Sequence, residues 1–515
     1  MIFDNRFIRE LPADLESDNF IRQVYSACYS KCQPTAVSKP QVVCVNQALA
    51  KQLGLTSEFV QSQTFADVFT GNKLMEGMAP YAMCYGGHQF GNWAGQLGDG
   101  RAINLGEVVT EKSHQTLQLK GAGATPYSRH ADGLAVLRSS IREYLCSEAM
   151  HHLGVPTTRA LSLALTGEQV ERDMFYDGRS ALEPGAVVCR VSPSFIRFGS
   201  FQIFSARNDL ETLKQLVDFC IRYDFPDLYD ANSAESNKEQ YYLRWFEEVV
   251  NRSCEMVVHW QRVGFVHGVM NTDNMSILGL TIDYGPYGWI DNYDPKWTPN
   301  TTDLPGRRYC FGNQPQMVHW NLFQLAQALV PLIRNTEALQ SILNGFMVDY
   351  ESRYLMMMGS KLGLERVDLS FVTELEDLLH IGEVDMTLFF RQLAEYQAGG
   401  KLTFFADSFY ARESLDENYV QRFERWLGLY SDQVRLGVMA RRDAMNAVNP
   451  KLVLRNYLAQ QAIEASEKGD YTMLYELELA LQKPYDDDRR YHKFASKRPD
   501  WAKQKPGCSM LSCSS

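Results

Sequence analysis

The chain has 515 residues, of which 45% are hydrophobic and 22% are charged. At about 150 residues per domain, this length predicts about two to four structural units that bury a sizeable core. The net charge of −11 argues against binding to nucleic acid or to an anionic membrane, since both need a basic surface.

Cysteine usage and hydropathy indicate where the protein resides. The eleven cysteines are scattered, their number is odd and no C-x-x-C pair occurs, which favours a reducing cytoplasm over a secreted, disulfide-linked fold. No run approaches the roughly 18 apolar residues of a membrane span. Residues 1–7 lack the apolar core of a signal peptide. The sequence therefore predicts a cytoplasmic protein.

The first part of the chain is predicted to be rich in strands. Residues 1–80 mix short apolar runs with turn residues, and we expect an extension that packs on the main body. In the glycine-rich segment that follows, 102–109 and 117–119 are extended runs bounded by turn residues, so they predict a β-hairpin. Two further strands are expected at 158–165 and 186–191.

Helices are predicted between and after these strands. Residues 136–153 carry apolar side chains at the spacing of an amphipathic helix. Later in the chain the helical pattern predominates. Helices are expected at 210–223 and 238–263, and mostly helical stretches at 318–398 and 419–481.

These patterns define the expected organisation of the chain. A strand-rich first part and a helix-rich second part predict an α+β protein with two lobes around a cleft. We predict an N-terminal extension over 1–80, a strand-rich N-lobe over 81–205, a helical C-lobe over 206–485 and a basic C-terminal tail over 486–515.

Four short pieces of the sequence follow the order of the catalytic motifs of a protein kinase. Lys120 ends an apolar run, and Glu143 lies in the helix predicted downstream, as in the kinase lysine–glutamate pair. The loop from His267 to Asn274 has the length of H-R-D-x-x-x-x-N, and Asp283-Tyr284-Gly285 stands where D-F-G would. Val269 occupies the place of the kinase aspartate and cannot accept a proton. The sequence thus predicts a metal–nucleotide cleft without the usual kinase base.

Oxygen ligands for a metal ion come from the same region. Asn274 and Asp283 offer one neutral and one anionic oxygen, which suit Mg²⁺ or Mn²⁺. Asp273 lies beside Asn274 and is the candidate proton acceptor that replaces the base lost at Val269. The alternatives are an Asx-rich turn for the ligands and a loop-capping role for Asp273.

Glycines and arginines supply candidate phosphate contacts. Gly98-Asp99-Gly100-Arg101 combines a backbone that can approach phosphate closely with a guanidinium group. Arg190 and Arg197 flank a turn and can converge on a polyphosphate. Taken alone, a plain hairpin turn and solvent-exposed arginines are the better explanations.

Taken together, these residues resemble the selenoprotein O family of protein-kinase-like proteins. The resemblance covers nearly the whole chain and its motifs are highly specific. The matching segments are Phe3-Asp4-Asn5-Arg6-Phe7, Gly86-Gly87-His88-Gln89-Phe90-Gly91, Gln96-Leu97-Gly98-Asp99-Gly100-Arg101, Lys120-Gly121-Ala122-Gly123, Thr125-Pro126-Tyr127-Ser128-Arg129, His267 to Met275, Asp283-Tyr284-Gly285-Pro286 and Phe311-Gly312-Asn313-Gln314-Pro315.

The resemblance implies a kinase-like two-lobed fold and a pseudokinase that transfers AMP, not phosphate, from ATP to Ser, Thr or Tyr hydroxyls of proteins. ATP would bind flipped relative to a kinase and pyrophosphate would leave, with UMP as a further candidate group. Asn274 and Asp283 would hold Mg²⁺ or Mn²⁺, Asp273 would accept the proton, and Glu143 would orient Lys120. The implied nucleotide contacts are Gly98, Gly100, Arg101, Lys120, Asp132, Gly133, Arg190, Arg197 and Asp283.

The resemblance also draws attention to the C-terminus, where other family members carry selenocysteine. Cys513 occupies that place here. A disulfide from Cys513 to Cys310, or to the nearby Cys508, would tie the tail to the segment after Asp283-Tyr284-Gly285 and gate activity by redox state. Free thiols in a reducing cytoplasm are the alternative.

Two other functions fit the residues: a phosphoryl-transferring kinase with an unusual base, and an inert nucleotide-binding scaffold. Intact metal ligands argue against the scaffold, and Val269 argues against the ordinary kinase route. The residues alone do not decide which phosphorus is attacked, and only the resemblance favours AMP transfer.

Overall fold

The fold combines one large antiparallel sheet with many helices. A computed structural model describes residues 1–110, 113–175, 177–230 and 237–512. The strands are β1 Ile2–Phe3, β2 Tyr29–Lys31, β3 Gln41–Val45, β4 Tyr81–Met83, β5 Gly86–Gln89, β6 Asn92–Gln96, β7 Ala102–Val109, β8 His114–Lys120, β9 Arg159–Asp173, β10 Ser180–Ser192, β11 Phe265–Val266 and β12 Gly288–Trp289. The helices are α1 Arg6–Glu10, α2 Gln47–Gln52, α3 Ser57–Val60, α4 Gln63–Thr70, α5 Leu137–His152, α6 Phe198–Ala206, α7 Leu210–Tyr223, α8 Lys238–Val263, α9 Gln314–Leu329, α10 Thr336–Leu362, α11 Leu369–Ile381, α12 Met386–Glu395, α13 Glu417–Gln433, α14 Val438–Val448, α15 Asn456–Ser466 and α16 Thr472–Leu481.

Eight strands form the large sheet. Their order is β2-β4-β7-β8-β10-β9-β3, and β1 pairs with β7. The predicted hairpin is confirmed as β7 and β8, in which Asn104 lies opposite Gln118. The two further predicted strands are also confirmed: 158–165 begins one residue before β9, 186–191 lies within β10, and both strands run longer than the predicted segments.

Two of the predicted helices have the expected bounds, 210–223 and 238–263. Their ends follow from capping. The Asp209 side chain accepts the N–H of Thr212 at 3.2 Å at the start of α7, and Gly264 ends α8 in the left-handed region with φ 76°. Helix signals of this kind are local, so the sequence alone was sufficient to find them.

Helix α5 is present where predicted, but the expectation that it is amphipathic was wrong. It is buried on nearly every side, since it packs against β9, β10, α15 and α16. Its charged residues are buried with partners: Arg159 donates to Glu148 at 2.7 Å, and Arg142 donates to the Tyr287 carbonyl at 2.6 Å. A helix surrounded by protein can keep polar side chains inside only when each finds a hydrogen-bond partner.

Apolar layers cover both faces of the sheet. On one face, Phe65 and Phe69 of α4 join a cluster with Leu105, Leu117 and Leu119 of β7 and β8. On the other, α5 belongs to the largest apolar cluster of the protein. Residues before 80 therefore supply three strands and one covering layer of the sheet. The boundaries drawn at 80, 205 and 485 stay a prediction.

The second half of the chain is helical. Helices α8 and α10 pack on each other, and a separate apolar cluster joins α11 to α14 through residues such as Phe371, Phe389 and Trp426. The chain then returns toward the middle of the protein: Leu511 donates its N–H to Pro299 and accepts the N–H of Thr301, at 2.9 and 2.8 Å. Among the described residues, no helix is long and apolar enough to cross a membrane.

Candidate active site

The site residues predicted from the sequence meet in one cleft. A cavity of about 640 Å³ lies among the ends of β7, β8 and β10, the glycine-rich loops and the loop after α8. The predicted residues that line it are Gly98, Gly100, Arg101, Lys120, Asp132, Gly133, Arg190, Arg197, Asp273, Asn274 and Asp283. The fold thus brings together residues that lie far apart in the sequence.

The predicted lysine–glutamate pair is formed. Lys120, at the end of β8, donates its Nζ to Glu143 Oε2 on α5. Arg190 lies 3.2 Å from the other carboxylate oxygen of Glu143. Burial lowers the pKa of Lys120, and the Glu143 carboxylate opposes this shift. Helix α5 is in turn fixed by Tyr287, whose hydroxyl donates to the Arg142 carbonyl at 2.7 Å.

Asp283 is held as a carboxylate by two arginines. Arg190 Nη1 lies 2.5 Å from its Oδ1, and Arg197 pairs with Oδ2. Burial alone would raise the pKa of Asp283, but Arg197 and Arg190 outweigh it and hold the pKa well below its usual range. The backbone at Asp283 is left-handed, with φ 55°. Such a conformation is uncommon for a residue other than glycine, and it often marks a functional site.

The chemistry of Asn274 and Asp283 fits a hard divalent ion. Asn274 donates its Nδ2 to the Val269 carbonyl at 2.9 Å, which leaves the amide oxygen as the group available to a ligand. Together with Asp283 it provides two protein oxygens. The described part of the chain has no cluster of three or more His, Cys, Asp or Glu that could hold a metal. Two oxygens suit Mg²⁺, which usually takes one or two protein ligands and completes its shell with phosphates and water.

Asp273 has one oxygen held and one oxygen without a partner. It lies in a short 3₁₀ turn, Thr272–Asn274, and its Oδ2 accepts the Gln89 amide at 3.1 Å. Its buried Oδ1 has no hydrogen-bond partner among the described residues. Burial raises the pKa of Asp273 to about 6, against the opposing effect of Gln89. A side chain of this kind can accept a proton near neutral pH.

The place of the ordinary kinase base is apolar. Val269 is buried and lines the same cavity as Asp273. The cavity therefore has a carboxylate, that of Asp273, beside the candidate metal ligand Asn274. This carboxylate lies four residues after Val269, the position of the kinase aspartate.

A hairpin that the sequence did not predict supplies Gln89. Strands β5 and β6 pair with each other and lie between β4 and β7 in the chain. The hairpin contacts the catalytic loop through its backbone: His88 N–H donates to Thr272 Oγ1 at 2.7 Å, and Phe90 N–H donates to Asn271 Oδ1 at 3.2 Å. Its turn has positive φ at Phe90 and Gly91, 50° and 87°. Gly91 could have indicated such a turn from the sequence. Phe90 could not, because phenylalanine rarely has positive φ.

Two further residues of the cleft were not predicted to have a role. Arg172 of β9 makes two hydrogen bonds of 2.8 Å to the carboxylate of Asp132. Asp99 is fully buried, and its Oδ2 accepts the Met83 N–H at 3.0 Å. Asp99 thereby fixes the loop that carries Gly98 and Gly100. The Arg172 contact spans 40 residues, so no local sequence pattern indicates it.

The cysteines proposed for redox control are placed only in part. Cys310 and Cys508 are buried free thiols. Burial raises the pKa of both, to about 11 for Cys508. Cys513 lies outside the described residues, so the disulfide stays a prediction.

Three features meet at one cleft: a lysine of the sheet paired with a glutamate of α5, a kinase-like loop and an Asp-Tyr-Gly turn. Together they define a protein-kinase-like transferase whose usual base is absent. Comparison with known proteins agrees with this class. Residues 13–482 match the family model of the protein adenylyltransferase SelO. The chain belongs to this family, as its motifs predicted.

Relatives of the same length share more than half of the sequence. The chain is 57% identical to the protein nucleotidyltransferase YdiU of Azoarcus sp. strain BH72 and 55% identical to that of Rhodopirellula baltica, over 100% of this chain and 99% of each relative. It is 53% identical to the protein of the same name from Flavobacterium johnsoniae, over 99% of both chains. The prediction of an enzyme that transfers a nucleotide to proteins is confirmed at the level of the family.

Proposed function

We propose that this cleft transfers AMP from ATP to a hydroxyl group of a protein substrate, with Asp273 as the proton acceptor. The observation that carries the proposal is the state of Asp273. It is buried at the cleft, Gln89 holds one of its oxygens, and the other has no partner among the described residues. The family of protein adenylyltransferases supplies the direction of the chemistry.

In the proposed reaction, the substrate hydroxyl gives its proton to Asp273 Oδ1 while its oxygen bonds to the α-phosphorus of ATP. The bond from that phosphorus to the bridging oxygen of the β-phosphate breaks, and pyrophosphate leaves. Val269 cannot take the proton, so the acceptor has to come from further along the loop. As the family resemblance implies, ATP would lie flipped relative to its place in a kinase, with its α-phosphate next to Asp273.

The cations of the cleft would bind the phosphates. Lys120, Arg190 and Arg197 lie in a buried cluster with three acidic side chains, Asp283, Glu143 and Asp99, and Asp99 Oδ1 lies 3.8 Å from Arg197 Nη2. Burial raises the pKa of Asp99, and ammonium and guanidinium groups gathered in one cleft favour a bound polyphosphate. Arg101, with Gly98 and Gly100, lines the same cavity and would contact the phosphates from the glycine-rich loop.

Asn274 and Asp283 would hold Mg²⁺ or Mn²⁺. When bound, such an ion neutralises phosphate charge and polarises the phosphoryl oxygens. The two residues need no other role in this scheme, since the proton is taken by Asp273.

A reducing location is proposed on the basis of the cysteines. The ten cysteines that the structure describes are all buried and none is in a disulfide. Proteins kept in the cytoplasm commonly have such free thiols.

Labelled nucleotides test the proposed function. With label on the α-phosphate of ATP, the enzyme should label protein and release pyrophosphate, whereas label on the γ-phosphate should stay off the protein. Asp273→Asn should still bind ATP but transfer about 10²–10⁴-fold more slowly, because general-base removal has that typical cost. Asp283→Ala should lose transfer altogether. The same assay with α-labelled UTP tests UMP transfer.

The competing functions give different results. Stable labelling from γ-labelled ATP that depends on Asp283 would identify a phosphoryl-transferring kinase. ATP binding without any labelling would identify a scaffold. If Asp273→Asn loses ATP affinity but keeps its rate constant, then Asp273 is a binding residue and the assigned base is wrong.

A further inference from the structure

An exposed aromatic surface with one arginine lies beside the catalytic loop. It consists of His88 and Trp93 of the β5–β6 hairpin, Arg308, and Trp320 and Phe323 of α9; we name it the tryptophan–arginine surface. The His88 ring lies 5.1 Å from that of Trp93 and 5.7 Å from that of Trp320. The Arg308 guanidinium lies 4.6 Å from the Trp320 ring. Trp93 is 40% exposed and Phe323 is 38% exposed. Three segments of the chain thus meet in one patch.

This surface is joined directly to the catalytic loop. Gln89, next to His88 in the chain, donates to Asp273. Tyr309, next to Arg308, donates its hydroxyl to Asn271 Oδ1 at 2.7 Å. Since consecutive Cα atoms lie about 3.8 Å apart, the surface begins a few residues' length from Asp273. A polypeptide whose hydroxyl reaches Asp273 would therefore lay its neighbouring residues on this surface.

Arg308 has no carboxylate within 4 Å among the described residues, although its charge interacts with the nearby Asp303 carboxylate. It forms no ion pair with the described residues, and its buried Nε has no hydrogen-bond partner among them. Asp303, in the same segment, uses its two oxygens to accept the backbone N–H groups of Arg308 and Tyr309, at 3.0 and 2.8 Å. Stacking on Trp320 holds the guanidinium in place. An arginine held in this way is suited to pair with an incoming carboxylate, since less freedom is lost on binding.

We propose that the tryptophan–arginine surface binds the polypeptide segment that carries the accepting hydroxyl, and that Arg308 selects an acidic side chain in that segment. This inference rests on the proposed function, because it takes the occupant to be the protein substrate. Tryptophan and arginine are the residue types that dominate binding energy at protein interfaces. The five residues of the surface do not line the nucleotide cavity, so the surface is free when ATP is bound.

Peptide binding without nucleotide tests the proposal independently of transfer. Two fluorescent peptides share a central Ser-Thr-Tyr and differ only in having Asp or Lys at the flanking positions. The full chain should bind the Asp peptide about tenfold or more tightly than the Lys peptide, the effect expected of one charge-assisted pair. Arg308→Glu should lose or reverse this preference. Trp93→Ala should weaken binding of the Asp peptide.

Arg307→Glu is the matched control. It makes the same charge change at the neighbouring residue, which is exposed and makes no ring contact with the tryptophans. It should keep the preference for Asp if the selection is made at Arg308. An equal loss in both variants would mean that general charge, and not Arg308, attracts the peptide, and would overturn the proposal. So would a wild-type chain that binds both peptides equally. Thermal unfolding of each variant shows whether it is folded.

The transfer reaction separates this inference from the function on which it rests. With α-labelled ATP, wild type should label the Asp peptide faster than the Lys peptide. The Arg308→Glu variant should label the Lys peptide at least as fast as it labels the Asp peptide. Labelling of both peptides at the same rate by wild type would overturn the inference and leave AMP transfer standing. Absence of any labelling, with the Asp preference in binding intact, would overturn AMP transfer and leave the surface standing. The inference would also be overturned if wild type forms a dimer, if Trp93→Ala makes that dimer dissociate, and if the Asp peptide does not. The occupant of the surface would then be a second copy of the chain.

Discussion

At the scale of single residues, the position of Asp273 depends on the absence of a side chain at Gly87. A Cβ at Gly87 would lie 2.7 Å from Asp273 Oδ1 and 3.0 Å from its Cβ. Both distances are at or below the shortest that packed atoms normally reach. The glycine is therefore a condition for the hairpin to pack against the catalytic loop, quite apart from any need for unusual backbone angles.

Gly87→Ala should lower the rate constant of AMP transfer by about tenfold or more, since it would displace the proposed base Asp273, and a shift of about 1 Å can cost up to 10²-fold. ATP affinity should change little, because Gly87 does not line the nucleotide cavity. Single-turnover rates and ATP titration measure the two quantities. Gly345→Ala is the control, as its added Cβ meets nothing within 4 Å. A normal rate constant in Gly87→Ala would contradict the close packing described here.

The sequence predicted site residues that belong to motifs and missed those that act through tertiary contact. Lys120, Asn274 and Asp283 stand at recognisable spacings. Gln89 was noted only as part of a glycine-rich motif, and its contact with Asp273 crosses 184 residues. Sequence patterns report neighbours along the chain, so a contact of this kind appears only once the fold is known.

At the scale of elements, a buried ion pair fixes α12 to the start of α15. Arg455 donates to both oxygens of Asp385, at 2.8 and 3.1 Å, and both side chains are nearly inaccessible to solvent. Asp385 also caps α12 by accepting the Leu388 N–H at 3.1 Å. The Asp385 carboxylate thus caps the start of α12 and also holds the residue that precedes α15.

Arg455→Met should reduce the free energy of unfolding by about 3–5 kcal/mol, because it leaves the buried Asp385 charge without its partner. Urea unfolding followed by circular dichroism measures the change. The control is Arg490→Met, which removes an arginine from the exposed pair with Asp488 and should leave the free energy of unfolding nearly unchanged. A loss at Arg455 as small as that at Arg490 would show that the buried pair adds little stability.

Helix α10 carries a buried lysine whose charge is not matched by a carboxylate among the described residues. Lys361 donates its Nζ to the Arg262 carbonyl at 2.9 Å and lies 4.1 Å from the Phe390 ring. Burial lowers its pKa well below the usual value, and Arg262 adds to this effect. In the folded protein the lysine therefore loses its proton at a lower pH than in the unfolded chain. The unfolded chain binds more protons in that window, so stability rises with pH there.

Lys361→Met should remove this pH dependence. Between pH 7 and 9.5 the unfolding midpoint in urea should rise less steeply in the variant than in wild type. One group can contribute at most about 1.4 kcal/mol per pH unit. Lys51→Met, at an exposed site on α2, is the matched control and should keep the wild-type slope. Parallel slopes in wild type and Lys361→Met would contradict the proposed shift.

Elements were predicted well where the signal was local. Helices α7 and α8 begin at capping side chains and end where the pattern stops, and the β7–β8 hairpin is bounded by turn residues. The β5–β6 hairpin was missed because it is short, glycine-rich and stabilised by the catalytic loop rather than by its own sequence. Helix α5 was found, but its burial was not, because its polar residues are satisfied by partners elsewhere in the chain.

At the scale of the whole molecule, the end of the described chain lies against the segment that follows Asp283-Tyr284-Gly285. Leu511 is fully buried there between Pro299 and Thr301. Cys310 belongs to the same segment. The predicted redox link requires the Cα of Cys513 to approach that of Cys310 to about 4.4–6.8 Å, and Leu511 already holds the nearby chain against this segment.

Mild oxidation should link Cys513 to Cys310 or Cys508 and change the rate of AMP transfer. Peptide mapping without reduction identifies the link, and transfer assays before and after oxidant measure its effect. Cys513→Ser should abolish the response, whereas Cys254→Ser, at a buried site on α8, should keep it. The gate is absent if no peptide containing Cys513 becomes cross-linked and the variant behaves as wild type in both buffers.

The β5–β6 hairpin has a consequence for how ATP enters and products leave. In the sequence the hairpin lies between β4 and β7, two strands of the large sheet. Its residues His88, Gln89 and Phe90 are nevertheless hydrogen-bonded to three consecutive residues of the catalytic loop. A clamshell opening of the two halves about a hinge would break all three bonds at once. We therefore expect a cleft of constant width, in which nucleotide exchange depends on small movements at its mouth. X-ray scattering profiles with and without ATP should then superimpose, although many kinase-like enzymes close visibly around their nucleotide.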